Sequence, residues 1–388
     1  MSRLITLPAL IDPHVHFRTP GSEHKEDWIC GARAAFAGGY TTVIDMPNNN
    51  PPAIDEESLN NKIKLVEQQL SFLRKQEGSP SGSEFISVHP YFYLGVTPLP
   101  LDKGEAGWGS AVALKMFMGS STGSLLVDKY EDQEKIFAKA AELDLLVAVH
   151  AEDDETIKNN QLSFQQKLES IANPVALHSQ IRSREAAIKA VSQAIELAEK
   201  TGARLYICHI STKEEAELVK SAKERGAKIY AEVTPHHLFL NESAYETLET
   251  KAQMNPPLRT AADQAALWQA INDGVIDTIG TDHAPHTLEE KNQPYPKSPS
   301  GVPGIETCLP LLLNAYNQGK ISLEKIVELC RTNPQKIFRL PDNSDEVIVD
   351  LDLEKEVKNE NLKTKCGWSP FAGWNLKGWP IKTIIMKK

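Results

Sequence analysis

Short apolar runs rich in β-branched residues recur along this chain, and several end on a side chain able to ligate a metal ion. They lie near Pro8–His14, Tyr40–Met46, Phe85–Val96, Ala111–Phe117, Leu145–His150, Arg204–His209, Lys228–Val233 and Ile276–Asp282. Amphipathic helical patterns separate them, near Asp27–Ala37, Glu56–Gln76, Glu131–Leu143, Arg184–Thr201, Lys213–Arg225 and Ala261–Asp273. Buried strands joined by helical crossovers predict an α/β chain whose residues 1–345 form a parallel (β/α)8 TIM-like barrel. A doubly wound open sheet is the competing arrangement, but no GxGxxG follows the first strand, where such a fold would carry it. Further helices are expected near Glu306–Asn317 and Ser322–Arg331. Residues 346–388, with strands near Val347–Asp350 and within Trp368–Lys388, predict a small C-terminal accessory β segment packing on or near the barrel.

At 388 residues the chain is long enough for one large barrel or two ordinary domains. No apolar run approaches the roughly 20 residues of a membrane span, and Met1-Ser2-Arg3-Leu4 does not open a signal peptide. Five scattered cysteines (Cys30, Cys208, Cys308, Cys330 and Cys366) fit a reducing cytoplasm without a disulfide framework. A net charge of −10 and the lack of a basic stripe argue against nucleic acid as a partner. An anionic substrate would therefore need local cations. The Gly78–Ser83 segment reads as a surface insertion. The polar stretch from Pro285 to Gly304 has neither the helix nor the strand period, as a functional loop would.

In an extended segment, residues two apart project from the same side. His14 and His16, at the end of the first apolar run, can thus grip one ion. Lys115 lies on the fourth run, and His150, His209 and Asp282 end later ones. Barrel strands converge at their C-terminal ends, where catalytic groups sit. Four imidazoles, one lysine and one carboxylate at that mouth make a site for two divalent cations, with zinc the expected metal. Burial of Lys115 on an apolar strand would leave a neutral amine. Such an amine can add CO2, giving a carbamate whose oxygens bridge two metals. Asp282 can bind one metal and relay a proton between a bridging hydroxide and a leaving nitrogen. The chemistry is hydrolysis, or formation, of an unactivated amide.

The motifs narrow this further. Asp12-Pro13-His14-Val15-His16-Phe17-Arg18-Thr19-Pro20-Gly21, Asp45-Met46-Pro47-Asn48, Val233-Thr234-Pro235-His236-His237-Leu238, Thr281–Lys291 and Gly301-Val302-Pro303-Gly304 span nearly the whole chain. Through them it resembles the dihydroorotases, cyclic amidohydrolases of pyrimidine synthesis. The resemblance implies reversible cyclisation of N-carbamoyl-L-aspartate to L-dihydroorotate. It implies one metal on His14, His16, carboxylated Lys115 and Asp282, and a second on Lys115, His150 and His209. It also implies that Arg18 binds the substrate carboxylate, that Asn48, Asn255 and His286 complete the pocket, and that the backbone of Val302–Gly304 reads the pyrimidine edge.

Some dihydroorotases hold an additional metal near residues like Cys208, Glu232 and His237. Here these three are either such a site or a buried cysteine beside a supporting histidine. The chain departs from many of its relatives in lacking a long N-terminal β-sandwich half, which likens it to the short form within multifunctional pyrimidine-synthesis polypeptides. Association with an aspartate carbamoyltransferase, or a homodimer, is expected on that basis. Gly119–Gly123 stands where that form has a loop closing over substrate. Other cyclic amidohydrolases (hydantoinase, dihydropyrimidinase, allantoinase) would share the metal ligands, but their uncharged rings offer Arg18 and His286 no carboxylate. A non-catalytic partner protein would be expected to lose ligands, and none is lost here.

Overall fold

The computed structural model describes residues 2–77, 86–97, 111–120 and 125–386. Its strands are β1 (Leu4–Pro8), β2 (Leu10–Val15), β3 (Tyr40–Asp45), β4 (His89–Gly95), β5 (Ala111–Phe117), β6 (Leu146–His150), β7 (Arg204–Ile207), β8 (Ile229–Val233), β9 (Thr278–Ile279), β10 (Glu346–Glu356) and β11 (Asn375–Ile384). Strands β2 to β9 form one eight-stranded sheet in sequential order, every pair parallel. The ring is drawn shut between its last and first strands. Val15 bridges to His283, and the His16 N–H donates to the His283 carbonyl at 2.9 Å. A side chain completes the seam: the Thr281 N–H (3.0 Å) and hydroxyl (2.5 Å) both donate to the Asp12 carboxylate. Burial drives the Asp12 carboxyl up to about 7 even against these hydrogen bonds.

Strand alternation divides the core in two. Leu10, Val43, Leu114, Val147 and Leu205 face outward onto the helices. Ile11, Ile44, Tyr93, Ala113, Leu146, Ala148 and Tyr206 face inward, where Ile337, Phe338 and Leu340 pack against them. That plug sits at the end where the strands begin, because Arg204, the first residue of β7, donates to the Ile337 carbonyl at 2.5 Å. The Phe338 ring meets Tyr206 at 5.0 Å and Tyr93 at 5.8 Å, edge to face. One end of the barrel is sealed with apolar side chains, and polar chemistry is left to the other.

The first predicted strand, Pro8–His14, corresponds to β2, and a separate strand, β1, precedes it. β1 leaves the barrel and pairs antiparallel with β10, which pairs with β11, in a three-stranded sheet. The Ala9 N–H, bonded to the Asp345 carbonyl at 2.8 Å, marks the junction. The predicted strand Ile276–Asp282 contracts to β9 because Gly280 to Asp282 turn into the seam and the site. A helix at Asp154–Ser170 lacked an apolar signal, since only Asp154 and Ile157 on it are buried. Its start is fixed by Asp153, whose side chain accepts from the Thr156 N–H. The Gly78–Ser83 insertion and residues 121–123 of the Gly119–Gly123 loop lie outside the described residues. No helix among the described residues is long and apolar enough to cross a membrane.

Replacing Phe338, 3 % exposed, with alanine removes the centre of the plug without touching the open mouth. Phe338→Ala should lower stability by about 3–5 kcal/mol, read as a fall in the denaturant midpoint.

Candidate metal centre and substrate pocket

The inward face that carries Ala113 also carries Lys115, and the face that carries Leu146 and Ala148 carries His150. His209 and Asp282 need more than alternation. β7 ends at Ile207 with Cys208 turned inward, so the next side chain would point away. A left-handed backbone at His209 (φ 37°) turns it back to the mouth, and Asp282 (φ 45°) and Arg18 (φ 60°) adopt the same region. Non-glycine residues seldom do so, and the strain is held by the packing around each site residue. Lys115 is 1 % exposed, with its Nζ 3.0 Å from Cys208 Sγ and over the Phe117 ring at 5.1 Å. Among the described residues it forms no ion pair.

Glu232 on β8 ties these strands together. Its carboxylate accepts from His14 Nδ1 (2.8 Å), the His209 N–H (2.9 Å) and the Tyr206 hydroxyl (2.8 Å). With Nδ1 so engaged, His14 presents Nε2 to Asp282 Oδ1 at 3.3 Å, and His16 Nε2 reaches the same oxygen at 3.0 Å. Gly280 makes room for this: a Cβ there would lie 2.3 Å from Glu232 Oε2 and 3.0 Å from His14 Cβ. Across the mouth, His150 Nδ1 and His209 Nε2 stand 3.1 Å apart. His150 Nε2 meets Glu152 at 2.9 Å, and Arg182 Nε bonds both Glu152 oxygens at 3.1 and 3.0 Å.

The two sides differ electrostatically. Burial alone would lower His14, yet Glu232 and Asp282 outweigh it and hold its pKa well above the ordinary range. Burial would raise Asp282, but His14 and His16 keep it well below. His209 is pushed well down by burial, then by His150 and Lys115; burial also lowers His150. The result is an ionised Asp282 beside neutral His16, His150 and His209, donors a divalent cation takes, while His14 holds a proton that a cation would displace. The fit is borne out by geometry. The ligand atoms of His14, His16 and Asp282 lie within 4.8 Å of one another. His209 Nδ1 is buried with no partner, a donor atom in want of one.

One cavity is lined by all six candidate ligands together with Arg18, Asn48, Asn255, Phe117, Ala284, Ser300 and Gly301. Arg18 Nε donates to the Pro285 carbonyl at 3.1 Å and its NH2 lies 3.1 Å from His286 Nε2. His286 therefore stands behind Arg18. Burial, then Arg18, Lys25 and Lys291, push its pKa well below the ordinary value, so it adds no positive charge. Asn48 Oδ1 meets His16 Nδ1 at 2.9 Å, and Asn255 Oδ1 meets His178 Nε2 at 3.0 Å.

Two sequence expectations are corrected. Cys208 and Glu232 group with His14, not with His237. His237 turns to its own helix start and a neighbouring turn, bonding Thr234 at 2.8 Å and the Pro256 carbonyl at 3.2 Å. The Val302 carbonyl and Gly304 N–H are taken by Ala284 (2.9 Å) and His283 (3.1 Å), and the residues of this segment that line the cavity are Ser300 and Gly301. Sequence reasoning missed Glu152, Arg182 and His178. Glu152 was within reach, lying two residues beyond a strand-end histidine as His16 lies beyond His14. Arg182 and His178, in an irregular segment, carry no such signal.

Comparison with known proteins adds relatives to this geometry. Residues 128–385 match the amidohydrolase family, and residues 2–69 match a dihydro-orotase-like family. A dihydroorotase of Halobacterium salinarum is 36% identical, the alignment covering 98% of this chain and 84% of the relative. The multifunctional protein CAD of Squalus acanthias is also 36% identical over 99% of this chain, which corresponds to 15% of that polypeptide. Among solved structures, the L-hydantoinase (dihydropyrimidinase) of Arthrobacter aurescens superposes with a TM-score of 0.86 at 25% identity, covering 98% of this chain and 84% of its own.

The contact between Glu232 and His14 yields a direct test. Glu232→Gln removes the anion that orients and polarises the imidazole, and metal affinity should fall about 10–100-fold, measured as metal retained against a chelator series.

Proposed function

The chain belongs to the dihydroorotases within the amidohydrolase family, metal-dependent cyclic amidohydrolases, and from that membership we propose that it interconverts N-carbamoyl-L-aspartate and L-dihydroorotate in pyrimidine synthesis. The observation that carries this reading is Arg18, locked against Pro285 and His286 over the cavity of the candidate metal ligands. A guanidinium held there suits a planar carboxylate. The solved hydantoinases favour a second reading, a neutral cyclic amide as substrate. Such a ring would give the Arg18 guanidinium no anion to pair with in the cavity, where Asp282 and Asp45 act on it only through space, so the anionic substrate is preferred.

In this reading His14, His16 and Asp282 would hold one zinc and His150 and His209 a second, with Lys115, as a carbamate, serving both. Bound there, the cations supply Lewis acidity toward the scissile carbonyl and lower the pKa of water. Asp282 accepts the proton of the attacking water at a carboxylate oxygen and delivers it to the ring nitrogen as the carbon–nitrogen bond breaks. Synthesis reverses these transfers and releases water. Glu232 keeps His14 in one tautomer, and Glu152, fixed by Arg182, does the same for His150. The likeness to one stretch of the multifunctional protein supports work beside an aspartate carbamoyltransferase, or as a homodimer. The five free cysteines support a cytoplasmic setting.

The purified protein should contain divalent metal and hydrolyse dihydroorotate in preference to hydantoin, dihydrouracil or allantoin; the opposite preference, or a metal-free inert protein, sinks the assignment. Arg18→Met should raise KM for dihydroorotate roughly 30–100-fold with a smaller change in kcat, and an unchanged KM would remove Arg18 from the pocket. Asp282→Asn should retain metal while kcat falls about 10²–10⁴-fold, checked by metal analysis alongside steady-state kinetics.

A further inference from the structure

Asn255 borders the cavity, yet a residue outside the cavity decides which end of its amide faces the substrate. His178 opens the single helical turn His178–Ile181 and is 4 % exposed. Its Nε2 lies 2.9 Å from the Met254 carbonyl oxygen and 3.0 Å from Asn255 Oδ1, and its Nδ1 lies 3.2 Å from the Tyr295 hydroxyl. A carbonyl oxygen can only accept, so Nε2 must carry the hydrogen. Burial, with Arg182 nearby, lowers His178 to about 4 and keeps the ring neutral. A neutral imidazole protonated at Nε2 accepts at Nδ1, so the Tyr295 hydroxyl is the donor there.

The hydrogen bonds then run in one direction, from Tyr295 to His178 and from His178 to the oxygen of Asn255. The amide nitrogen of Asn255 is thereby turned toward the cavity with two hydrogens to give. We propose that Tyr295 and His178 form a polarity lock that presents Asn255 to the substrate as a donor, so that this corner of the pocket accepts a carbonyl or carboxylate oxygen and rejects an N–H. Both are positioning residues, acting on the substrate through Asn255. Without the lock the amide can rotate and set its oxygen against the substrate's own oxygen, and on the anionic ligand of the reading above that contact repels. The inference deepens that reading and rests on it.

The test is a double-mutant cycle on the metal-loaded enzyme with dihydroorotate. His178→Leu should raise KM about tenfold, the loss of one oriented hydrogen bond, with kcat within about twofold and metal content unchanged. Tyr295→Phe should give a smaller rise of the same kind. In an Asn255→Ala background neither substitution should move KM further, because the group they orient is gone. Equal increases of KM in both backgrounds, a fall in kcat in place of KM, or no change at all would overturn the lock. Should His178→Leu fail to fold, the Tyr295→Phe and Asn255→Ala cycle is decided by the same criterion. A wild-type enzyme with no turnover of dihydroorotate overturns the functional reading and the lock with it; an active wild type with additive effects overturns the lock alone.

Discussion

Glu232 stands where three strands of the barrel meet, and the site is built outward from its carboxylate. It receives an imidazole from β2, a phenol from β7 and the backbone N–H of His209 just beyond β7. A buried carboxylate with these donors is satisfied, and each donor in turn is held in one orientation. Neighbouring strands must keep their register for this to occur. The same contact explains Gly280, since any side chain there would displace the carboxylate from His14. Barrel closure and ligand orientation are therefore a single constraint, expressed once in packing and once in chemistry.

That constraint shares the interior with a second one. Phe338, Tyr93 and Tyr206 close the end where strands begin, and Tyr206 reaches upward with its hydroxyl to Glu232 and Thr278. The phenol thus spans the boundary, its ring in the apolar plug and its oxygen in the polar layer. Above it sit the ligands, three of whose neighbours in function (Arg18, His209 and Asp282) hold left-handed backbone. Strain concentrated at the mouth is stabilised by the rigid layers beneath it.

Much of this was legible in the order of residues. The alternation of apolar runs and helical patterns predicted a parallel sheet, and the absence of GxGxxG after the first strand turned the choice from an open sheet to the barrel. Lys115 and His150 follow the alternation of their strands, and period two puts His14 and His16 on one side, but the inward aim of that pair depends on the irregularity in β2 between Asp12 and Val15. His209 and Asp282 were found as strand ends, although their inward aim depends on backbone turns that no periodicity encodes. The helix Asp154–Ser170 was missed because it covers little of the core and so lacks an apolar stripe. The outer strand Leu4–Pro8 was not foreseen because its partners lie more than three hundred residues away. The wrong grouping of His237 with Cys208 had the same root: adjacency of strands says which residues are near, but not which way a helix start turns the ring.

The structural likeness to hydantoinases and the anionic substrate proposed here are compatible because of where each kind of residue sits. The candidate ligands are strand residues or lie at strand ends, fixed by the hydrogen-bonded ladders of the barrel itself. Arg18, Asn48, Asn255 and His286 lie past strands β2, β3, β8 and β9, in connections free to vary in sequence without disturbing the ladders. A high structural superposition therefore reports the metal-binding layer and is nearly blind to the substrate. Selectivity is instead read in the direction of individual hydrogen bonds. His16 Nε2 lies 3.0 Å from Asp282 and its Nδ1 2.9 Å from Asn48 Oδ1. A neutral ring can donate to only one of these two acceptors, and a cation taking Nε2 would leave the hydrogen on Nδ1 for the Asn48 oxygen. In the proposed lock His178 fixes the polarity of Asn255 in the same way, and two amides so oriented, in a cavity that Arg18 also lines, are the features on which the proposed anionic substrate rests.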